Sequence, residues 1–290
     1  MGLCDAVRAE CAAVAGSTRH VRIDLDRLDR IEPGPEPELD PDRYYLEGSR
    51  EDIALFTLTL DTINFGSGWF PTLRKRPGCS GYNTVAWALT DKFRADGPWS
   101  APQLRELDQA TIAATLGQEP DHELMALYAE ALRELGAFLG DRPALDTVAA
   151  AGGSAERLAE QLVAGMTMYS DPGFYKRAQI LAADLALAGV ATFEDLDRLT
   201  IFADNLVPHV LRVDGVLTYE PDLAALIDTE QLLPSGEAER EIRACAVHAC
   251  ESIAGALDVP PRTLDNWLWN RGQEPRYKAV PRHRTRTTAY

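Results

Sequence analysis

The chain has 290 residues, 46% hydrophobic and 26% charged, enough to bury a large core. A net charge of −16 opposes tight binding to a nucleic-acid polymer through phosphate neutralisation. No run approaches ~18 uninterrupted apolar residues, which argues against a membrane-spanning helix, and five cysteines in so long a chain argue against a disulfide framework. The N-terminal stretch carries Asp5, Arg8 and Glu10, so it reads as a short helix and not a signal peptide. A cytoplasmic protein is expected.

Residues 1–31 form the N-terminal helical segment, and the Pro- and acid-rich loop 32–45 packs on the rest of one domain spanning 1–290. Helical periodicity then dominates, with helices expected at 51–65, 81–95, 102–116, 121–139, 143–150, 154–168, 173–189, 193–202, 220–227, 236–257 and 261–269. Start signals support several of them: Ser154, Pro102, and Thr192 with Asp195 three residues on. β-Branched runs of period two are scarce. VLRVDGVLTY (210–219), with Asp214-Gly215 at its turn, is the best candidate for a short β-hairpin. The fold class is all-α.

Acids that interrupt apolar runs are the informative residues: Asp61 in LTLDTINF, Asp184 in ILAADLALAG and Asp204 in TIFADNLVP. Each either caps a helix, pairs with an arginine, or faces a cleft, because an ionised carboxylate in an apolar wall is costly without a partner. Asp204 stands at a helix break ahead of Pro208, where a side chain can face a cleft. In PRTLDNWLWNRGQ, Asp265 lies one turn from Trp269 and Asn266 one turn from Asn270. That face either reads the hydrogen-bonding edge of a base or is an amphipathic helix with its tryptophans packed inward. Phe65 and Trp69 in INFGSGWF either sandwich a flat base or belong to the core.

Lys176 and Arg177 open a helix, and Arg282, His283 and Arg284 sit in a basic end with six Arg or Lys against one acid from Arg271 to Tyr290. Both are candidates for holding a phosphate, with a solvated basic tail as the plainer reading of the second. Glu241 and Arg243 point to different faces and read as structural ion-pair sites with partners elsewhere. The five histidines and the cysteines show no ligand spacing, so no metal is expected. GxGxxG, GxxxxGK[ST], HExxH and GxSxG signatures are absent.

Together, DTINFGSGW (61–69), SGY (80–82), FYKRAQILAAD (174–184), TIFADNLVPHVL (200–211), EIRAC (241–245), LDNWLWN (264–270) and VPRHRTRTTAY (280–290) resemble the queuosine-salvage family, the queuosine 5'-phosphate N-glycosylases. The resemblance runs in order over about residues 50–290. It implies a helical fold similar to that of helical DNA glycosylases and hydrolysis of queuosine 5'-phosphate to queuine and ribose 5-phosphate, for salvage of the base used in tRNA modification. Phe202 and Asp204 would lie at the reacting base and sugar, with Asp265, Asn266 and Asn270 on the queuine. The expected enzyme is a monomer that needs no cofactor and acts on a free nucleotide, with no nucleic-acid or membrane partner. The rival readings are a non-catalytic nucleobase- or nucleotide-binding protein, a nucleic-acid glycosylase, and a plain helical scaffold.

Overall fold

Fourteen α-helices, four short 3₁₀ helices and a single two-stranded sheet account for the regular structure in a computed structural model that describes residues 2–290, the side chains of 29 and 30 excepted. The chain is all-α in class. None of the described helices is long and apolar enough to cross a membrane. Two compact units result, each built from separate stretches of chain: 1–37, 171–176 and 197–287 in the first, 38–170, 177–196 and 288–290 in the second.

The first unit is organised by the helix Glu237–Leu257, which packs against the N-terminal helix Leu3–Ala15 through the buried Cys4, Val7 and Cys11. Its Glu241 carboxylate accepts the N–H groups of Arg19, His20 and Val21 at 2.9, 2.7 and 3.1 Å. Three charge-assisted bonds to main-chain donors, not a cation, are what this buried acid satisfies. They fix the strand Val21–Ile23, which pairs antiparallel with Leu217–Tyr219.

The expected hairpin at 210–219 is therefore corrected. Residues Val207–Val213 are a helix, opened by Pro208, and only Leu217–Tyr219 is a strand, whose partner is the N-terminal segment and not its own neighbour. An Asp-Gly pair suits a helix end as well as a hairpin turn, and tertiary pairing decided between them. The expected helix 193–202 shrinks to the turn Leu196–Arg198. Asp195 instead reaches Ser154 Oγ and the Ala155 N–H, each at 2.6 Å, at the start of the helix Ala155–Gly165.

In the second unit, capping boxes open Arg50–Thr62 (Ser49 with Asp52) and Ala101–Arg105 (Ser100 with Gln103). The expected helix 102–116 is divided into Ala101–Arg105 and Gln109–Thr115, with Asp108 capping the second piece. The helix Glu123–Leu139 crosses Ala101–Arg105 closely at Gly136. A Cβ there would stand 2.8 Å from the Ala101 carbonyl oxygen, the Arg105 nitrogen and Leu104 Cβ. Glycine to alanine inside a helix ordinarily gains ~1 kcal/mol. Here main-chain atoms block the methyl, so Gly136→Ala is expected to cost about 1–3 kcal/mol in urea unfolding. A stabilised variant would show that the crossing yields.

Candidate functional site

The loop ahead of Val207–Val213 carries the first unit's chemistry. Asp204 is half-buried, and its Oδ1 accepts the N–H groups of Leu206 at 2.7 Å and Val207 at 3.1 Å. These bonds serve donors that a starting helix leaves without intrahelical partners, and they fix the carboxylate in orientation. Oδ2 accepts no hydrogen bond, and the group makes no ion pair among the described residues. Asp204 is thus held by one oxygen and not enclosed in a structural pair.

Two residues before it, the N–H of the buried Phe202 donates to Asp265 Oδ1 at 2.8 Å. Asp265 lies on the helix Pro261–Arg271 and is buried. Burial pushes its carboxyl up to about 7, the Asp204 charge adds to that, and the Phe202 N–H and Lys176 pull the other way. The Asp204 charge thus acts on a neighbouring carboxyl that burial already keeps from ionising readily. The thiol of Cys250, on the neighbouring helix, is raised by burial and then by Asp265.

Basic groups of the expected phosphate site fall out differently. Arg282 is half-buried, makes no ion pair or hydrogen bond among the described residues, and is lowered to about 10 by burial and by Arg284, with Asp204 opposing. Arg284 is also lowered, chiefly by burial. His283 is buried and held near 3 by burial and then by Arg243, so its ring is neutral, while its carbonyl accepts Asn205 Nδ2 at 2.9 Å. Lys176 is buried with its N–H on Asp171 Oδ2 at 3.0 Å. His209 is a buried ring with Nε2 2.9 Å from the Tyr277 carbonyl, lowered to about 4 by burial.

The helix Pro261–Arg271 divides the expected base-reading face. Successive residues are 100° apart, so Asp265 turns inward while Asn266 is half-buried and Asn270 exposed, joined by an Nδ2–Oδ1 bond of 2.9 Å. Trp269 is half-buried. Asn270 lines a groove with Trp267, Arg271, Glu274 and the stretch 31–35. Trp267 donates Nε1–H to the Pro35 carbonyl at 2.6 Å and covers Gly34, where a Cβ would meet Trp267 Cδ1 at 2.6 Å. The first residues of the proline-rich loop are docked there.

In the second unit, Phe65 is 1% exposed, edge-on to Tyr128 at 5.0 Å, and Trp69 donates Nε1–H to Glu123 Oε2 at 2.7 Å. Both are core residues, which argues against a stacking role. Arg177 is equally enclosed. Its guanidinium donates to the carbonyls of Thr62, at 2.5 Å, and of Met168, and lies 4.7 Å from the ring centres of Phe65 and Tyr169. That occupancy argues for a structural cation.

Asp184 belongs to a buried polar cluster that sequence reasoning missed. Tyr44 and Tyr82 hydroxyls are 2.8 Å apart, Tyr44 reaches Asp184 Oδ2 at 3.5 Å, and Asp61 Oδ1 accepts Asn64 Nδ2 at 3.2 Å. Burial and the two carboxylates raise both phenols far above their usual range, so they are donors at any physiological pH. Tyr82 stands in the SGY segment, the only sequence signal it offered.

The first unit thus carries a carboxylate held by one oxygen and, near it, a buried carboxyl raised to about 7. The family model described as "Queuosine salvage protein" matches residues 44–290, and the chain belongs to that family. It is 35% identical to the queuosine 5'-phosphate N-glycosylase/hydrolase of Sphaerobacter thermophilus, covering 83% of this chain and 82% of the relative. A protein of the same description from Dictyostelium discoideum is 28% identical over 98% of each chain, and one from Mus musculus 32% identical over 66% of this chain and 64% of its own.

Proposed function

We propose that this protein hydrolyses the N-glycosidic bond of queuosine 5'-phosphate, giving queuine and ribose 5-phosphate for reuse of the base in tRNA modification. The observation that carries the reading is the acid pair: Asp204 fixed through Oδ1, and Asp265 tied to the Phe202 N–H two residues away. Cleavage builds positive charge on the ribose as the base leaves. A carboxylate ~4 Å from that charge is worth about 4 kcal/mol at an effective dielectric near 20, roughly a thousandfold in rate. Asp204 supplies it and aligns the water whose oxygen ends on C1'.

Asp265 grips the base edge. A 7-deazapurine lacks the N7 at which purines are usually protonated for departure, so edge contacts carry more of the leaving-group stabilisation. Arg282, with Lys176 and Arg284, holds the 5'-phosphate; a half-buried guanidinium with no partner suits a dianionic oxygen cluster. The substrate is a free nucleotide and not a polymer, in keeping with the −16 charge, and the enzyme acts as a cytoplasmic monomer.

Incubation with queuosine 5'-phosphate should release queuine and ribose 5-phosphate in equal amounts. Tight binding without release would identify a nucleobase-binding protein instead. Because the ionised Asp265 is the form that accepts from the base, affinity for queuine should fall about tenfold per pH unit below about 7. Calorimetry across that range checks it; a flat profile removes Asp265 from the base edge.

A further inference from the structure

Arg243 was expected only to find an ion partner, yet its three donor groups join two chain segments. It lies within Glu237–Leu257 and is buried. Nε–H donates to the Ala203 carbonyl at 2.8 Å, on the residue before Asp204. Nη1 and Nη2 donate to Asp171 Oδ1 and Oδ2 at 2.9 and 2.7 Å. Asp171 Oδ2 also accepts the Lys176 N–H at 3.0 Å, and the Asp171 carbonyl accepts the N–H groups of Phe174 at 3.1 Å and Tyr175 at 2.9 Å.

The turn so held is an unfavourable one. Gly173 has φ of +87° and Tyr175, with a side chain, +52°. A non-glycine residue in the left-handed region persists only where its surroundings over-determine it. The Phe174 ring closes the arrangement, 3.9 Å from the guanidinium carbon, and Glu239 is 3.6 Å from Nη1. Stability alone is a poor account of this pair, since a buried ion pair is often no better than apolar residues of the same volume. What it supplies is placement: a planar fork admits one orientation, where a flexible ammonium admits many.

We infer that Arg243 is a positioning residue, clamping through Ala203 and Asp171 the two backbone segments that present Asp204 and Lys176. The inference rests on the role given to Asp204 above. A carboxylate displaced by about 1 Å from a developing charge costs on the order of a hundredfold in rate, while nucleotide binding, spread over many contacts, changes little.

The test uses Arg243→Lys, which keeps the charge and loses the fork, and Asp171→Asn, which keeps an acceptor for the Lys176 N–H. Both should fold by circular dichroism, hold KM for queuosine 5'-phosphate within about threefold and lower kcat about a hundredfold. In an Asp204→Asn background, where the positioned charge is gone, Arg243→Lys should lower the residual single-turnover rate by less than about threefold. Unchanged kcat in both variants overturns the inference, as does a full hundredfold loss in the Asp204→Asn background, which would mark a role independent of Asp204. Amide exchange provides a reading that needs no turnover. In Arg243→Lys, or in Asp171→Asn should the first fail to fold, the Lys176 amide and those of Leu206 and Val207 should exchange faster together. A rise in one segment only, or in neither, defeats the clamp. Wild-type protein that releases no queuine while both segments respond would defeat the proposed function and leave the clamp standing.

Discussion

Asp204→Asn is expected to lower kcat for queuosine 5'-phosphate about a thousandfold while leaving KM within about threefold. The substitution is nearly isosteric and retains an oxygen to accept the Leu206 and Val207 N–H groups, now at 2.7 and 3.1 Å from Oδ1. Asparagine is as good a residue as aspartate at a helix start, so the fold should be spared. What disappears is the negative charge, and with it about 4 kcal/mol of stabilisation of a sugar cation. Ground-state binding of a neutral ribose has little use for that charge, so the loss should fall on kcat. A second consequence follows from the pair. Asp204 is one cause of the high position of Asp265, so its removal should bring the midpoint of queuine binding to lower pH. A variant that keeps more than about a tenth of the wild-type rate would remove Asp204 from the chemistry; an unmoved binding midpoint would uncouple the two acids.

Asp204 was legible in the sequence because a carboxylate amid TIFADNLVP, at a helix break ahead of a proline, interrupts an apolar run. The same argument failed to rank the other acids. Asp61 and Asp184 are buried, but among phenols and an amide whose spacing along the chain gives no hint of their meeting. Arg177 and Lys176 are adjacent in sequence and looked equivalent, yet Arg177 is committed to the Thr62 and Met168 carbonyls. Only packing could separate them. Long amphipathic helices such as Glu123–Leu139 and Glu237–Leu257 were visible because their own period specifies them. The strand Leu217–Tyr219 fell within the expected hairpin 210–219, but its partner Val21–Ile23 was not legible, because it lies almost two hundred residues away and a three-residue strand has no pattern of its own. Arg243 is the sharpest case. The sequence offered an arginine in a helix, and its meaning came from a carbonyl at 203 and a carboxylate at 171 that only the fold brings to it.

Asp265→Asn should stabilise the fold at pH 8 and give no gain at pH 4, while weakening queuine binding. The carboxyl, ordinarily at 3.8, stands near 7 in the folded protein, foremost through burial and then through Asp204. For an acid raised by folding, the proton is held more tightly in the native than in the unfolded chain. The contribution is therefore fully favourable below about 3.8, is lost as pH rises toward about 7, and leaves a constant penalty above that. A gap of that size corresponds to about 4 kcal/mol at most. Asparagine keeps an oxygen for the Phe202 N–H and removes the buried charge, but it introduces an amide N–H pair that costs ~1–3 kcal/mol if it finds no acceptor. The net gain at pH 8 is then about 1–3 kcal/mol in urea unfolding. Such a gain would mean that the protein keeps a destabilising acid where the leaving base needs an acceptor, the trade expected of a functional group and not of a structural one. Should Asp265→Asn instead be the less stable protein at pH 8, the attraction of Lys176 outweighs burial, and Asp265 is an ordinary member of a structural ion network.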